Sequence, residues 1–245
     1  MNLKMKIAVI TGCNGQLGSF LVHLLIDNGF FVYGLDKDAK EEHFEKYSIF
    51  KLDVTDESEV AEFFQELSDK KIRINTLINN AGIGIFTPFE ERRKEDFMKV
   101  LDVNLFGTFN MIKAALNFFD VNLDPANIVN VSSIYGVISS DPSIYEDLNR
   151  MNSEVYSASK AGIIQLTKYF AVHLAKRKIL VNCVSPGGIY NKHPEKFKNN
   201  YSKKCPVERM ANVNEIADAI LFFSKNKNAY LTGQNLIVDG GLTAW

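Results

Sequence analysis

Short apolar runs alternate with segments of helical period along the whole chain. The apolar runs, rich in β-branched residues, predict strands at 6–10, 30–35, 48–52, 75–78, 127–131, 178–183 and 235–238. The segments between them predict helices at 15–28, 37–46, 56–67, 95–119, 155–176 and 213–224. This alternation is typical of an α/β fold: a doubly wound, Rossmann-like parallel sheet of about seven strands with helices on both faces. No repeat or linker interrupts the pattern, so we expect residues 1–245 to form one domain.

Two predicted helix ends carry residues that favour termination. Thr55 is expected to cap the N-terminus of the 56–67 helix, because a hydroxyl can accept from the first free N–H groups. Gly29 follows the first helix, and glycine readily adopts the left-handed backbone that often ends one.

Composition and charge exclude several function classes. Apolar residues make up 46% of the 245, and the formal net charge is −1, so we expect no nucleic-acid and no membrane partner. The three cysteines and four histidines are too dispersed for a disulfide framework or a metal site. The apolar run near the N-terminus is too short for a signal-peptide core or a membrane span. We therefore expect a soluble, cytoplasmic protein without a bound metal.

A glycine-rich loop joins the first predicted strand to the first predicted helix. Gly12, Gly15 and Gly18 recur every three residues within Thr11-Gly-Cys-Asn-Gly-Gln-Leu-Gly18. Glycines at such a junction permit a tight turn and a close approach of the backbone to a pyrophosphate, which the helix N-terminus then binds. The loop therefore predicts a dinucleotide-binding site.

The end of the second predicted strand bears on the choice of dinucleotide. Asp36 stands where an acid can hydrogen-bond the ribose hydroxyls of NAD and repel a 2′-phosphate. Lys37 follows it, and a cation there would tolerate the additional phosphate of NADP. We expect NAD to be the cofactor, with NADP as the less favoured alternative.

Tyr156-Ser-Ala-Ser-Lys160 places a phenol and an amine four residues apart at the start of a predicted helix. Residues i and i+4 lie on one face of a helix, and a neighbouring ammonium favours phenolate over phenol. Lys160 is therefore expected to lower the pKa of Tyr156 from its usual value of about 10. A tyrosine poised in this way can take a proton from an alcohol or return one to a carbonyl.

Further motifs occur in a fixed order along the chain. They are Thr11-Gly12 with Gly18, Asp53-Val54, Asn79-Asn-Ala-Gly82, Asn104, Ser132-Ser133, Tyr156-x-x-x-Lys160, Ser185-Pro-Gly187, Thr232-Gly-Gln and Val238-Asp-Gly-Gly241. In these residues the chain resembles the short-chain dehydrogenase/reductase family over essentially its full length. The resemblance implies an NAD(P)-dependent oxidoreductase of the short, single-domain form that acts on CH–OH groups.

The resemblance also implies roles for single residues. Tyr156 would be the acid/base, Ser133 would hydrogen-bond the substrate oxygen, Lys160 would hold the nicotinamide ribose, and Asn104 would anchor a water in the proton relay. The residues expected to contact the cofactor are Gly12, Asn14, Gly15, Gln16, Leu17, Gly18, Asp36, Lys37, Asp53, Val54, Asn80, Ala81, Gly82, Tyr156, Lys160, Pro186, Gly187 and Ile189. Those expected to contact the substrate are Ser133, Tyr145, Tyr156 and Gly188.

The glycine loop departs from the family pattern. Gln16 stands where the family usually has glycine, and Gly15 lies one place earlier. This spacing resembles the longer family branch that contains nucleotide-sugar epimerases and dehydratases. The stretch after Lys160 is too short for the substrate region of that branch, so we expect the short form.

A longer stretch than is usual in the family separates Ser133 from Tyr156. The additional segment lies within 137–154, and its polar side chains include Ser139, Ser143, Tyr145 and Arg150. Because it joins two candidate catalytic residues, we expect it to border a polyhydroxylated substrate, although a solvated surface loop fits nearly as well. The surrounding sequence also looks like family members from bacterial surface-sugar and flagellin-glycan pathways. After the next strand, residues 188–206 are expected to form a mobile, lysine-rich lid.

Three functions stay open. The favoured one is an NAD-dependent oxidoreductase that transfers hydride between nicotinamide and a secondary hydroxyl or keto group of a small, polar, sugar-like molecule. The alternatives are an NADPH-dependent ketoreductase of small carbonyl or acyl substrates and a dinucleotide-sensing module without turnover. The resemblance implies a homotetramer or homodimer, with the helices that carry Asn104 and Tyr156 and the C-terminal tail as candidate contacts.

Overall fold

The computed structural model describes residues 5–122, 124–145 and 151–245. Its strands are β1 (Lys6–Thr11), β2 (Phe30–Asp36), β3 (Glu42–His43), β4 (Tyr47–Lys51), β5 (Thr76–Asn79), β6 (Ala126–Val131), β7 (Ile179–Pro186) and β8 (Asn235–Val238). They form one sheet in the order β3-β4-β2-β1-β5-β6-β7-β8, and every neighbouring pair is parallel except β3 with β4. The predicted Rossmann-like α/β fold is confirmed, with one strand more than the seven expected.

Helices cover both faces of this sheet. In the described part of the chain the α-helices are α1 (Gln16–Asp27), α2 (Glu57–Asp69), α3 (Lys94–Leu101), α4 (Gly107–Ala115), α5 (Glu154–Leu174), α6 (Glu195–Lys204) and α7 (Val213–Ser224). The helix or helices predicted over 95–119 are α3 and α4, which a π-helical turn at Asp102–Phe106 joins. None of the described helices is long and apolar enough to cross a membrane.

The strand side chains divide the core into two layers. Successive residues of a strand point to opposite faces of a sheet. On β1, Val9 therefore packs into one layer with residues of α2, α4 and α5, whereas Ala8 and Ile10 pack into the other with α1 and α7. The carboxyl ends of the parallel strands consequently meet at one edge between two rigid layers, where ligands bind in folds of this type.

The prediction of a helix over 37–46 is wrong. The segment makes a turn after Asp36, whose carbonyl accepts the N–H of Ala39 at 3.2 Å, and then enters the short antiparallel strand β3. The Phe44 ring, just after β3, stacks on Tyr47 of β4 with ring centres 4.5 Å apart. Charged residues dominate this segment, so it has no apolar stripe that could bury a helix against the sheet.

The predicted N-cap of the second long helix is displaced by one residue. Asp56, not Thr55, caps α2, and its side chain accepts the N–H groups of Ser58 and Glu59 at 2.8 and 3.1 Å. The Thr55 hydroxyl instead donates to Asp53 at 2.8 Å. Gly29 follows α1 with a φ of 82°, as predicted for a residue that ends a helix.

Candidate active site

The glycine-rich loop between β1 and α1 is tied to the end of β5. The Thr11 hydroxyl accepts the N–H groups of Asn80 and Ala81 at 3.1 and 3.0 Å. The Asn80 amide donates in return to the carbonyls of Thr11 and Gly12, each at 3.0 Å. These four bonds fix the loop relative to the central strand and hold it close to the sheet.

The start of α1 fits a pyrophosphate. Its N-cap, Gly15, provides no side-chain cap, and the first turn contains no acidic residue. The first N–H groups of the helix therefore remain available to an anion, which the helix dipole also favours. A Cβ atom on Gly18 would lie 2.0 Å from the Gly12 carbonyl oxygen, so glycine is required there for the loop to pack this tightly.

A cleft of about 360 Å³ extends from this loop across the ends of β2 and β4. It is lined by Gly12, Gly15, Gln16, Leu17, Gly18, Leu35, Asp36, Lys37, Asp38, Leu52, Asp53, Val54, Asn80, Ala81, Gly82, Ile83 and Val103. Apolar residues from strand ends and following turns form the wall near Asp53, as a flat adenine ring would require. Leu35, Leu52, Ile83 and Val103 are absent from the sequence prediction. Leu35 and Leu52 lie at or just after strand ends, and Val103 lies in the π-helical turn.

Asp36 is held at the rim of this cleft by two backbone N–H groups. Its carboxylate oxygens accept from Asn14 at 3.1 Å and from Asp38 at 3.0 Å. Asn14 does not line the cleft and so supports Asp36 from behind it. Asp38 does line the cleft, although the sequence analysis did not select it, and it adds a second negative charge beside Lys37.

A second cleft, also about 360 Å³, continues from the first and shares Leu17, Asn80, Gly82 and Ile83 with it. Its other lining residues are Gly84, Phe86, Val131, Ser132, Ser133, Asn152, Tyr156, Lys160, Pro186, Gly187 and Ile189. The structure therefore brings Ser133, Tyr156 and Lys160 together at the wall of a crevice that continues into the glycine-rich loop.

Helix α5 sets the positions of the phenol and the amine. The Ser153 hydroxyl caps the helix by accepting the N–H of Tyr156 at 3.2 Å, which places Tyr156 in the first turn. Lys160 follows one turn later, with its Nζ 5.6 Å from the centre of the Tyr156 ring. The Ser133 hydroxyl, which lines the same cleft, accepts the N–H of Tyr135 at 3.1 Å.

Comparison with known proteins agrees with this geometry. The family model described as "Enoyl-(Acyl carrier protein) reductase" matches residues 34–243. A 3-oxoacyl-[acyl-carrier-protein] reductase FabG of Thermotoga maritima is 34% identical over 255 residues, covering 99% of both chains. The chain belongs to the short-chain dehydrogenase/reductase family. This membership confirms the oxidoreductase class expected from the sequence.

Solved structures of this family superpose closely on the chain. A short-chain dehydrogenase of Leptospira borgpetersenii with bound NAD⁺ has a TM-score of 0.90 and 38% identity, covering 98% of this chain and 93% of its own. The protein ElxO with bound NADP has a TM-score of 0.84 and 28% identity, covering 99% and 100%. Aldohexose dehydrogenase of Thermoplasma acidophilum has a TM-score of 0.83 and 27% identity, covering 100% and 96%. Both types of nicotinamide dinucleotide therefore occur among structural neighbours.

The prediction that Lys160 lowers the pKa of Tyr156 is wrong. Burial raises the pKa of Tyr156, and the neighbouring Ser133 side chain offsets this only in part. Burial also lowers the pKa of Lys160 to about 8, and its Nζ donates to the Val131 carbonyl at 3.0 Å. Desolvation therefore outweighs the expected attraction between ammonium and phenolate, and Tyr156 is a neutral phenol at neutral pH.

Asn104 stands behind the cleft and not in its wall. It lies in the π-helical turn, a feature often found at functional sites. Its side chain accepts the N–H of Ile83 at 2.8 Å and donates to the Ile83 carbonyl at 3.0 Å and to Ser159 at 3.0 Å. Asn104 thus holds the strand-end backbone that forms the wall opposite Lys160.

Two residues predicted to contact the substrate, Tyr145 and Gly188, do not line the second cleft. The Tyr145 hydroxyl lies 2.8 Å from that of Tyr135, and it accepts a long hydrogen bond of 3.4 Å from Asn152. Among the described insertion residues, Asn152 reaches the cleft. Ser139 and Ser143 face solvent, and Arg150 lies outside the described residues.

The predicted lid contains the helix α6, which packs against the insertion. Ile144 is buried in a small apolar cluster with Tyr201, Cys205 and Met210. Asp141 pairs with Lys204 at 3.0 Å across the same contact. The Tyr201 hydroxyl accepts the N–H of Gly188 at 2.8 Å, so Gly188 connects this cluster to the end of β7.

Proposed function

We propose that the protein is an NAD-dependent oxidoreductase that transfers hydride between nicotinamide and a secondary hydroxyl or keto group of a small, polar substrate. The observation that carries this proposal is the meeting of Ser133, Tyr156 and Lys160 in a crevice that continues into the glycine-rich loop. The Lys160 ammonium lies 5.6 Å from the centre of the Tyr156 ring. A module that only senses dinucleotides would not need this arrangement.

The proposed chemistry divides between hydride and proton. A nicotinamide bound in the crevice would supply the hydride to the substrate carbon, or accept it from there. As hydride reaches a carbonyl carbon, its oxygen gains negative charge, which the Ser133 hydroxyl can stabilise by donating a hydrogen bond. The neutral phenol of Tyr156 then donates its proton to that oxygen. In the reverse direction the phenolate of Tyr156 takes the proton from the alcohol.

Lys160 supports the tyrosine electrostatically in this scheme. Its ammonium, buried beside the phenol, offsets the negative charge that Tyr156 acquires when it gives up a proton. Two bonds keep it there: Nζ donates to the Val131 carbonyl at 3.0 Å, and the Lys160 carbonyl accepts from Ser132 at 2.7 Å. The role proposed for Ser132 is therefore to anchor α5, while Ser133 would hydrogen-bond the substrate oxygen.

The electrostatics of the first cleft favour NAD over NADP. Asp36 and Asp38 both line the region where a ribose would lie, whereas Lys37 is the one cation among the lining residues there. A 2′-phosphate would have to approach two carboxylates, and like charges at close range oppose binding. The remaining cofactor contacts proposed are those of the glycine-rich loop, the Asn80–Gly82 turn and the Pro186–Gly187 backbone.

The polar lining of the second cleft supports a hydroxylated substrate, including a sugar derivative. Ser133, Tyr156 and Asn152 present a hydroxyl, a phenol and an amide to the same space. Hydroxyl groups of a polyol can pair with all three, while an acyl chain offers none of them a hydrogen bond. Resemblance to a 3-oxoacyl-[acyl-carrier-protein] reductase makes reduction of a small keto-acyl compound the second candidate.

An activity screen that pairs each nicotinamide cofactor with candidate substrates tests the proposal. Purified protein would be assayed with NADH and NADPH against hydroxyketones, and with NAD and NADP against aldohexoses and polyols. Acetoacetyl thioesters would represent the second candidate. We expect turnover with NAD or NADH and a hydroxylated compound. Activity confined to NADPH and the thioesters would replace the proposal with the ketoreductase.

A further inference from the structure

Gln16 makes a contact that the proposed catalytic scheme does not use. It is the first residue of α1 and lines the first cleft. Its side-chain amide donates to the carbonyl oxygen of Tyr190 at 2.7 Å, although the two residues lie 174 positions apart. This bond joins the glycine-rich loop directly to residues 187–194, which we call the cover segment.

The cover segment is itself firmly attached to its surroundings. The N–H of Tyr190 donates to the Ala211 carbonyl at 2.8 Å, and the N–H of Ala211 donates to the Gly188 carbonyl at 2.9 Å. The Lys198 ammonium of α6 lies 5.3 Å from the centre of the Tyr190 ring. The segment is therefore held to α6 and the loop before α7, and Gln16 supplies its connection to the glycine-rich loop.

The Gln16–Tyr190 bond lies beside the junction of the two clefts. Leu17, next to Gln16, lines both clefts, and Ile189, next to Tyr190, lines the second. A ligand that occupies both clefts must pass this junction. We propose that Gln16 is a positioning residue that fastens the cover segment over the junction and thereby slows release of a bound dinucleotide. This inference depends on the proposed function, because only a dinucleotide would fill both clefts.

A variant without the amide tests the proposal. Gln16→Met keeps the length of the side chain but cannot donate, and His23→Ala alters an exposed residue of the same helix as a control. Two quantities would be measured: amide hydrogen exchange of the cover segment without nucleotide, and the dissociation rate of NADH after displacement by excess NAD. We expect Q16M to raise both, with dissociation about two- to tenfold faster, as expected for loss of one hydrogen bond. H23A should match the wild type.

The possible outcomes distinguish failure of the role proposed for Gln16 from failure of the proposed function. Unchanged exchange together with unchanged dissociation would overturn the role of Gln16. Faster exchange without faster dissociation would also overturn it, because the bond would then organise the segment without retaining the ligand. Faster dissociation without faster exchange would point to direct contact between Gln16 and the dinucleotide and would equally contradict the proposal. Failure of the wild type to bind either NADH or NADPH would overturn the proposed function and this inference together.

Discussion

Asp36 enters the first cleft with both carboxylate oxygens already accepting backbone N–H groups. Those bonds fix its charge at the rim, where it cannot move away from an incoming phosphate. A single carboxylate in a fixed position can therefore decide between two cofactors that differ in one phosphate group. Asp38 also lines this cleft, so its carboxylate would add to the repulsion of a 2′-phosphate.

Asp36→Asn tests this control of cofactor choice. The substitution keeps the shape of the side chain and removes its charge, so a 2′-phosphate would meet less repulsion. We expect the ratio of kcat/KM with NADPH to kcat/KM with NADH to rise by about tenfold or more. Lys37→Ala, which removes the neighbouring cation, should move the ratio in the opposite direction. An unchanged ratio in D36N would show that the choice is made elsewhere.

Lys160 gives the stability of the protein a specific pH dependence. Its pKa is about 8 in the folded chain, against 10.5 for an unperturbed lysine. Between these values the unfolded chain binds a proton that the folded chain does not, so this group makes the free energy of unfolding rise with pH. We expect wild type to gain stability relative to Lys160→Met between about pH 8 and about pH 10.5 in urea titrations. A difference that stays constant or falls over this range would contradict the burial of the ammonium.

At the scale of elements, the described start of the insertion packs on α6. Ile144 anchors the insertion in the apolar cluster of α6, and Asp141 pairs with Lys204 at its edge. Asn152 follows on the return path to α5 and reaches the cleft. The described residues of the insertion thus fall into two parts, one that packs on α6 and one that lines the second cleft.

Asn152→Leu tests whether this second part selects hydroxylated substrates. Acetoin and 2-butanone are suitable ketones because they differ in one hydroxyl group. We expect N152L to lower kcat/KM for acetoin by about tenfold, since a lost hydrogen bond to a substrate hydroxyl has at least this effect. The value for 2-butanone should stay within about twofold. Equal losses on both ketones would indicate a structural role, and Ser143→Ala, on the exposed part of the insertion, provides the control.

The sequence predicted those site residues that belong to short motifs, and it missed those that loops bring to the clefts. Ser133, Tyr156 and Lys160 belong to short motifs whose spacing along one strand and one helix determines where they lie. Asn152 and Asp38 line the clefts only because loops fold back onto the sheet, and no local pattern encodes that path. Helix α6 was missed because its lysine-rich sequence buries just Tyr201, and β3 because its pairing with β4 decides its conformation.

At the scale of the whole molecule, an apolar surface crosses α3, α4 and α5. Val172 and Tyr169 of α5 are 76% and 54% exposed, and Phe109 of α4 and Met98 of α3 are exposed as well. A groove of about 690 Å³ lies on the same side, with Leu105 and Phe106 in its wall. An exposed apolar patch of this kind favours association, so we propose that these helices form the contact of a dimer or tetramer.

Light scattering coupled to gel filtration measures this association. We expect a mass of two or four times 27.6 kDa for the wild type. Val172→Glu would place a charge in the buried contact and should shift the mass towards one chain. Val207→Glu alters another exposed valine on a different surface and should leave the mass unchanged. A wild-type mass of 27.6 kDa, or a V172E variant that stays associated, would contradict the proposed contact.

The central claim is that the Tyr156 phenol exchanges the proton that accompanies hydride transfer, and Tyr156→Phe tests it most directly. The substitution removes one oxygen atom and keeps the ring in its place on α5. With the best substrate from the screen, we expect kcat to fall at least a hundredfold, within the range of acid/base catalysis. The dissociation constant of NADH should change by no more than about twofold, because the clefts remain intact. A variant that retains a rate near that of the wild type would contradict the account.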